Sequence, residues 1–154
     1  DAALDGVYKL VSFDGKAQIK TSDNITKQTL PGKKKLIRFY NGARQFYADA
    51  ILLEEEKETD IMYHPHHPEK HCSLTEYEQE EVLVEVVNNG QIVPGSILKT
   101  EEIKNYTRKR FQQLPGEHKR FENPHIYKVG ISEELMQLRN QLVSKLKSNF
   151  SKRR

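Results

Sequence analysis

Leu36-Ile37-Arg38-Phe39-Tyr40-Asn41-Gly42-Ala43-Arg44-Gln45-Phe46-Tyr47-Ala48-Asp49-Ala50-Ile51-Leu52-Leu53 is the stretch that decides the fold class. Leu36 to Tyr40 is rich in residues suited to a pleated surface, Asn41-Gly42 supplies a turn, and Gln45 to Leu53 continues extended. The pattern predicts a hairpin. Before it, Val7, Lys9 and Val11 alternate with Tyr8, Leu10 and Ser12 as far as Phe13, Asp14-Gly15 suits a tight turn, and Ala17 to Thr21 returns, predicting another. After it, the acidic run Glu54 to Asp60 leads into Tyr63 to Ser73, read as a loop because two prolines stand among four histidines. Val82 to Val87, Asn88-Asn89-Gly90 and Gln91 to Val93 predict a third hairpin.

In the last third the apolar period changes from two to about 3.6. Thr100 can cap a helix opened by Glu101 and Glu102, with Ile103, Tyr106, Thr107, Arg110, Phe111 and Leu114 on one stripe and Pro115-Gly116 ending it. Ser132 can cap a second helix opened by Glu133 and Glu134, along which Leu135, Leu138, Leu142 and Leu146 recur. Between them, Asn123-Pro124-His125 reads as a turn and Tyr127 to Ile131 as a short strand. Strands first and helices after argue for an α+β fold, an antiparallel sheet of hairpins followed by two packed helices, rather than alternating βαβ units.

The 154 residues set an expectation of one domain, 1–154, in three parts: a β-rich 1–53, an acidic and histidine-rich loop 54–81, and a hairpin with two helices in 82–154. Apolar residues make up 36% and charged residues 31%, so a modest, well-solvated core is expected. No apolar run approaches the ~18 residues of a membrane span. A single cysteine, Cys72, excludes an internal disulfide and fits a reducing, cytoplasmic setting. The chain opens on Asp1 rather than Met, as an excised or processed piece would.

The formal charge is only +3, but it is placed in blocks. Glu54 to Asp60 and Glu76 to Glu81 read as solvated acidic runs, with no apolar setting to raise a carboxyl pKa. Lys104 to Arg110, with Tyr106 interleaved, could serve a nucleic-acid surface, although a surface helix of a folded domain has the same composition. His64, His66, His67, His71 and Cys72 are metal-ligand types. All come from one proline-stiffened segment, whereas structural zinc sites draw ligand pairs from separated elements, so the reading is no metal site. Cys72 and His71 are adjacent and would point to opposite faces of an extended segment, which does not make a nucleophile and its base. Neither a glycine-rich phosphate loop nor a histidine-glutamate metalloprotease motif is present. Lys9, Lys20, Lys27, Lys33 and Lys34 stand near turns, where lysines either solubilise strand surface or converge on phosphate as point charges.

Those lysines lie in segments that carry a resemblance. Leu4-Asp5-Gly6-Val7-Tyr8-Lys9-Leu10-Val11, Ile19-Lys20-Thr21-Ser22, Lys27, Thr29-Leu30-Pro31-Gly32-Lys33-Lys34 and Arg38 resemble the region of nicotinate phosphoribosyltransferases that follows the catalytic barrel. The likeness continues through His64-Pro65, Val82-Leu83-Val84, Asn89-Gly90 and Leu114-Pro115. It closes on Phe121-Glu122-Asn123-Pro124-His125-Ile126-Tyr127 and Ile131-Ser132-Glu133-Glu134-Leu135. The Lys-Thr-Ser…Thr-Leu-Pro-Gly-Lys-Lys and Asn-Pro-His-Ile-Tyr segments are its most specific parts.

By resemblance, the chain is the C-terminal, largely non-catalytic portion of such an enzyme, beginning just after its last phosphate-binding loop. It belongs to a larger type II phosphoribosyltransferase fold whose α/β barrel is absent here. The family joins nicotinate to phosphoribosyl pyrophosphate, giving nicotinate mononucleotide and pyrophosphate in NAD salvage, assisted by ATP hydrolysis through a phosphorylated histidine. No histidine here matches that position, so the resemblance implies no catalytic residue in this chain and no activity for it alone. ATP and Mg are cofactors implied for the complete enzyme, and none for this chain. The implied partners are the missing barrel, a second subunit of a homodimer, nicotinate and phosphoribosyl pyrophosphate, with no membrane or nucleic acid. Lys9, Lys20 and Lys27 are the implied phosphate-binding positions, and Arg38 is a weaker one that could equally be a sheet-surface ion pair. Some family members carry a cysteine-based zinc site, which a chain with one cysteine cannot reproduce.

Overall fold

A computed structural model of the chain describes residue 6, residues 8–22 and residues 27–151, with the side chains of the final helix described through residue 148. The elements run β1 (Ser12–Phe13), β2 (Lys16–Ala17), β3 (Lys34–Tyr40), β4 (Phe46–Leu53), β5 (Ile61–His64), β6 (His67–Ser73), β7 (Glu78–Glu81), β8 (Val87–Asn88), β9 (Gln91–Ile92), α1 (Thr100–Gln113), β10 (Val129–Ile131) and α2 (Glu133–Ser151). A single 3-10 turn, Gly116–His118, follows α1. The fold is α+β.

The central hairpin forms where its alternation predicts it. β3 and β4 pair antiparallel from Lys34↔Leu53 to Tyr40↔Phe46, with a bulge at Phe39/Tyr40. The loop between them is wider than an Asn-Gly two-residue turn. The Asn41 Oδ1 accepts the backbone N–H of Ala43 (3.1 Å) and Gln45 (2.9 Å), and the left-handed residue is Arg44, φ 55°, not Gly42. An asparagine side chain that mimics a backbone turn accounts for this.

Four further strands complete a six-stranded sheet in the order β6-β5-β10-β4-β3-β7. Three lie within residues 54–81, where a loop is expected. The histidine-rich segment is the antiparallel hairpin β5–β6, with Met62 opposite Cys72 and Tyr63 opposite His71. Its prolines do not block it, because Pro65 sits in the turn and Pro68 on β6, an edge strand, where proline's missing N–H costs no ladder bond. The acidic residues Glu78 to Glu81 form the other edge, β7, paired with β3. β10 enters between β5 and β4, antiparallel to the first and parallel to the second, with Gly130 opposite Ala50. One parallel pair therefore interrupts the expected antiparallel order.

The two flanking hairpins are shorter than their alternation suggests. β1–β2 is a two-residue ladder around Asp14-Gly15, both at positive φ, and the predicted return through Thr21 is not strand. Val7, which begins the expected strand, lies outside the described residues. β8–β9 is likewise a two-residue ladder, and Val82 to Val86 is not strand.

The core lies largely on one sheet face, built by Ile37, Phe39, Ala48, Ala50, Leu52, Met62 and Leu74. Gly130 admits Met62 to it, since a Cβ there would come within 2.8 Å of the methionine Cγ. α2 packs against β4 and β5, burying Leu135 completely. Ser132 caps it as expected, its Oγ accepting the Leu135 N–H at 3.2 Å. The same hydroxyl donates to Glu56 at 2.7 Å, and that Glu56 oxygen also accepts the Leu53 N–H at 2.6 Å. Glu56 is thus buried rather than solvated with the rest of its run. α1 starts one residue earlier than expected, with Lys99 rather than Thr100 as N-cap, and buries no residue. It meets the sheet at its last turn, through Arg110 to Glu80 (2.9 Å) and Gln113 to the Arg44 carbonyl (3.3 Å). No described helix is long and apolar enough to cross a membrane.

Candidate functional site

The lysine-bearing segment is tied together by backbone bonds and joined to β3 through the Lys34 side chain. The Val11 carbonyl accepts the N–H groups of Gln18 and Gly32, both at 2.8 Å, and Lys20 and Thr29 are linked by Lys20 N–H to Thr29 Oγ1 (2.9 Å) and Thr29 N–H to the Lys20 carbonyl (3.3 Å). Thr29 and Pro31 are buried. The ammonium groups of Lys9, Lys20 and Lys27 are exposed and form no ion pair with a described residue. Two neighbouring lysines are spent differently. Lys34 donates to the carbonyls of Leu30 (3.0 Å) and Gly32, and burial pushes its pKa down. Lys33 makes an exposed pair with Glu54 at 3.6 Å. What remains are exposed cations near a bonded turn, suited to binding anionic groups as point charges.

Arg38 is committed. Its Nε and Nη2 donate to the two carboxylate oxygens of Asp49 at 2.8 and 2.7 Å, directly across the β3–β4 pairing, and its guanidinium lies 4.2 Å from the centroid of Phe46. The Tyr127 hydroxyl donates to the same Asp49 carboxylate at 2.9 Å. Asp49 holds Arg38 above its ordinary pKa, and burial followed by the Asp49 charge pushes the Tyr127 phenol up. This buried network fastens the Asn-Pro-His-Ile-Tyr segment to the sheet. Composition does not identify Asp49 or Tyr127. The available signal is one acid inside the apolar run Phe46 to Leu53, in register with an arginine.

A second network ties α1 down. Glu80 accepts from the Tyr40 hydroxyl and from Arg110, whose guanidinium lies within 6 Å of the rings of Phe46, Tyr40 and Tyr106. Hydrogen bonds to Tyr40 and Arg110 hold the Glu80 carboxyl below its usual range against the upward pull of burial. The acidic run therefore supplies one structural carboxylate, and the basic stretch of α1 loses one cation to it.

His64, His66 and His67 gather at the β5–β6 turn, the rings of His66 and His67 lying 6.1 and 5.1 Å from that of His64. His64 Nδ1 accepts the backbone N–H groups of His66 and His67, both at 3.1 Å, which closes the hairpin turn, and His67 faces Glu69 at 3.3 Å. His71 lies beside Tyr63. Among the described residues, no three histidine, cysteine or acidic side chains are placed to hold a metal ion. Cys72 is half-buried, and burial pushes its thiol pKa up, away from a reactive thiolate. Two hollows flank the 124–130 segment, of about 530 and 620 Å³, and share Ile126 and Lys128 in their walls. His64, His66, His71 and Cys72 line the first, and His118 and His125 the second.

Residues 33–139 match the family described as the nicotinate phosphoribosyltransferase C-terminal domain. Among curated relatives, nicotinate phosphoribosyltransferase of Caenorhabditis elegans is 30% identical over 91% of this chain and 26% of its own length. The Bacillus subtilis enzyme is 31% identical over 96% of this chain and 32% of its own length. The crystal structure of human nicotinic acid phosphoribosyltransferase superposes with a TM-score of 0.72 at 27% identity, over 89% of this chain and 26% of that one. The chain spans between a quarter and a third of the length of these relatives.

Proposed function

Since the chain belongs to the nicotinate phosphoribosyltransferase C-terminal domain family, we propose that it serves as the largely non-catalytic C-terminal part of a nicotinate phosphoribosyltransferase, presenting Lys9, Lys20 and Lys27 to substrate phosphates. The enzyme so completed forms nicotinate mononucleotide and pyrophosphate from nicotinate and phosphoribosyl pyrophosphate, assisted by ATP with Mg, as a cytoplasmic homodimer. The catalytic barrel lies outside these 154 residues, and this chain alone is inactive.

The observation that carries this reading is the pairing of a hydrogen-bonded turn with uncommitted charge. Val11 is bonded to Gln18 and Gly32, Lys20 to Thr29, and the Lys34 side chain of β3 donates to the carbonyls of Leu30 and Gly32, while Lys9, Lys20 and Lys27 are exposed. The reaction expels pyrophosphate, and cations stabilise its charge as it develops. Arg38, whose Nε and Nη2 are engaged by Asp49 across the sheet, is the weaker candidate.

In an enzyme carrying this chain as its C-terminal domain, Lys9→Ala or Lys20→Ala should raise KM for phosphoribosyl pyrophosphate or lower kcat by tenfold or more, about 1.4 kcal/mol. Unchanged kinetics would remove the phosphate role. Nicotinate mononucleotide made by the 154-residue chain alone would move the chemistry into it and overturn the non-catalytic reading.

A further inference from the structure

The arm of residues 83–98 and the helix α1 that follows are apolar without being covered. Leu83, Val84 and Ile97 on the arm, and Ile103, Tyr106 and Phe111 on the helix, are each about half exposed or more. Two physical facts make this unusual. A lone two-residue ladder such as β8–β9 is marginal in water, because two strands bury too little. A 14-residue helix is also marginal when no residue of it is buried. Both elements nevertheless form, next to a sheet that buries neither, and this many exposed apolar side chains on two successive elements point to an interaction site.

Resting on the function proposed above, we infer that the arm and the outward face of α1 are the surface on which the catalytic portion of a nicotinate phosphoribosyltransferase docks. The size of the relatives argues for this occupant. In the human structure the matched fold is 26% of the chain, so about three quarters of that protein is available to cover what is bare here. Charge refines the fit. Arg108 and Lys109 on α1 are exposed and pair with no described acid, whereas Lys104 is held by Glu101 at 3.5 Å. The docking partner should therefore offer an apolar patch with an acidic rim. The way α1 is anchored suits such docking, because Arg110 and Gln113 hold only its last turn on the sheet and leave its first two turns facing outward.

Hydrogen–deuterium exchange, on an enzyme carrying this chain as its C-terminal domain and on the 154-residue chain alone, tests the inference. The amides of residues 100–113 should exchange at least tenfold more slowly in the enzyme. Ile103→Asp with Phe111→Asp should abolish that difference while β3 and β4 stay protected. Arg108→Glu with Lys109→Glu, which leaves the apolar contacts intact, should reduce it. Equal exchange in enzyme and chain would overturn the inference. So would a concentration-dependent dimer of the chain alone that protects the same amides, since the occupant would then be a second copy. Nicotinate mononucleotide formation, assayed on the same enzyme, separates the two readings: activity without protection sinks the docking surface only, and protection without activity sinks the functional reading only.

Discussion

Helix α2 starts on Ser132, one residue after β10 leaves the sheet, and its cap hydroxyl is bonded to a carboxylate fixed at the end of β4. Helix α1 starts after an arm that makes no core contact and is fastened only at its far end. Both carry an apolar stripe at helical spacing, yet α2 buries Leu135 completely while Phe111 on α1 remains 58% exposed. The difference lies in the junction rather than the stripe. A strand that ends inside a sheet aims the next element across the sheet's neighbours, and a cap bonded to the core fixes its first turn. A stripe specifies that something is to be covered, not by what.

The largest effects should fall on the side of the sheet and α2. Asp49→Ala leaves the partly buried Arg38 guanidinium without its partner and removes the acceptor of Tyr127, so unfolding in urea should show a loss of about 2–4 kcal/mol. Leu135→Ala should cost about 2–5 kcal/mol by the same measurement. A loss below about 1 kcal/mol at Leu135 would mean that α2 is no better anchored than α1, and the contrast between the helices would collapse. Gly130→Ala comes next, at about 1–3 kcal/mol, because its methyl must displace Met62 from a packed position.

The Tyr127 network also gives the stability a pH dependence with a definite sign. Burial and the Asp49 charge raise the phenol above its ordinary value near ~10, so the folded state keeps a proton that the unfolded chain releases. Stability from this group is fully present below about pH 10 and is lost as the pH rises through the raised value. Tyr40, raised by burial and its bond to Glu80, acts in the same sense. In urea titrations across this range, Tyr127→Phe should lessen the alkaline loss. An unaltered slope would show that the phenol is not shielded.

How much of this is legible in the sequence depends on range. The β3–β4 hairpin, the Ser132 cap and the extent of α1 are set by neighbours in sequence, through alternation, turn chemistry and acidic first turns, and they can be read. The insertion of β10 between β4 and β5 cannot, because the partners of Val129–Ile131 are Asp49–Ile51 and Tyr63, far away in sequence. Prolines hide the histidine hairpin. Inside a sheet they break the ladder, whereas on an edge they only forgo a bond that no neighbour would receive. Glu56 and Glu80 look like their solvated neighbours, and only tertiary placement separates them. At the candidate site, the run of lysines is visible, but which of them are committed is not. Lys34 is turned into the Pro31-Gly32 turn by backbone carbonyls, which no charge pattern records.

The smallest expected effect is the most telling for the comparison. Ile103 lies on the stripe of α1, so if stripes alone determined burial, Ile103→Ala would cost as much as Leu135→Ala. With the residue about half exposed and no side chain of α1 buried, the loss in the 154-residue chain should stay within about 0.5 kcal/mol. Alanine's better helix propensity offsets part even of that. A cost near that of Leu135 would mean that α1 packs on its own sheet in solution, and the arm and helix would then have no bare face to offer a partner. A cost near zero leaves the apolar surface of α1 outside the stability of this fold, with its energetic role reserved for whatever covers it.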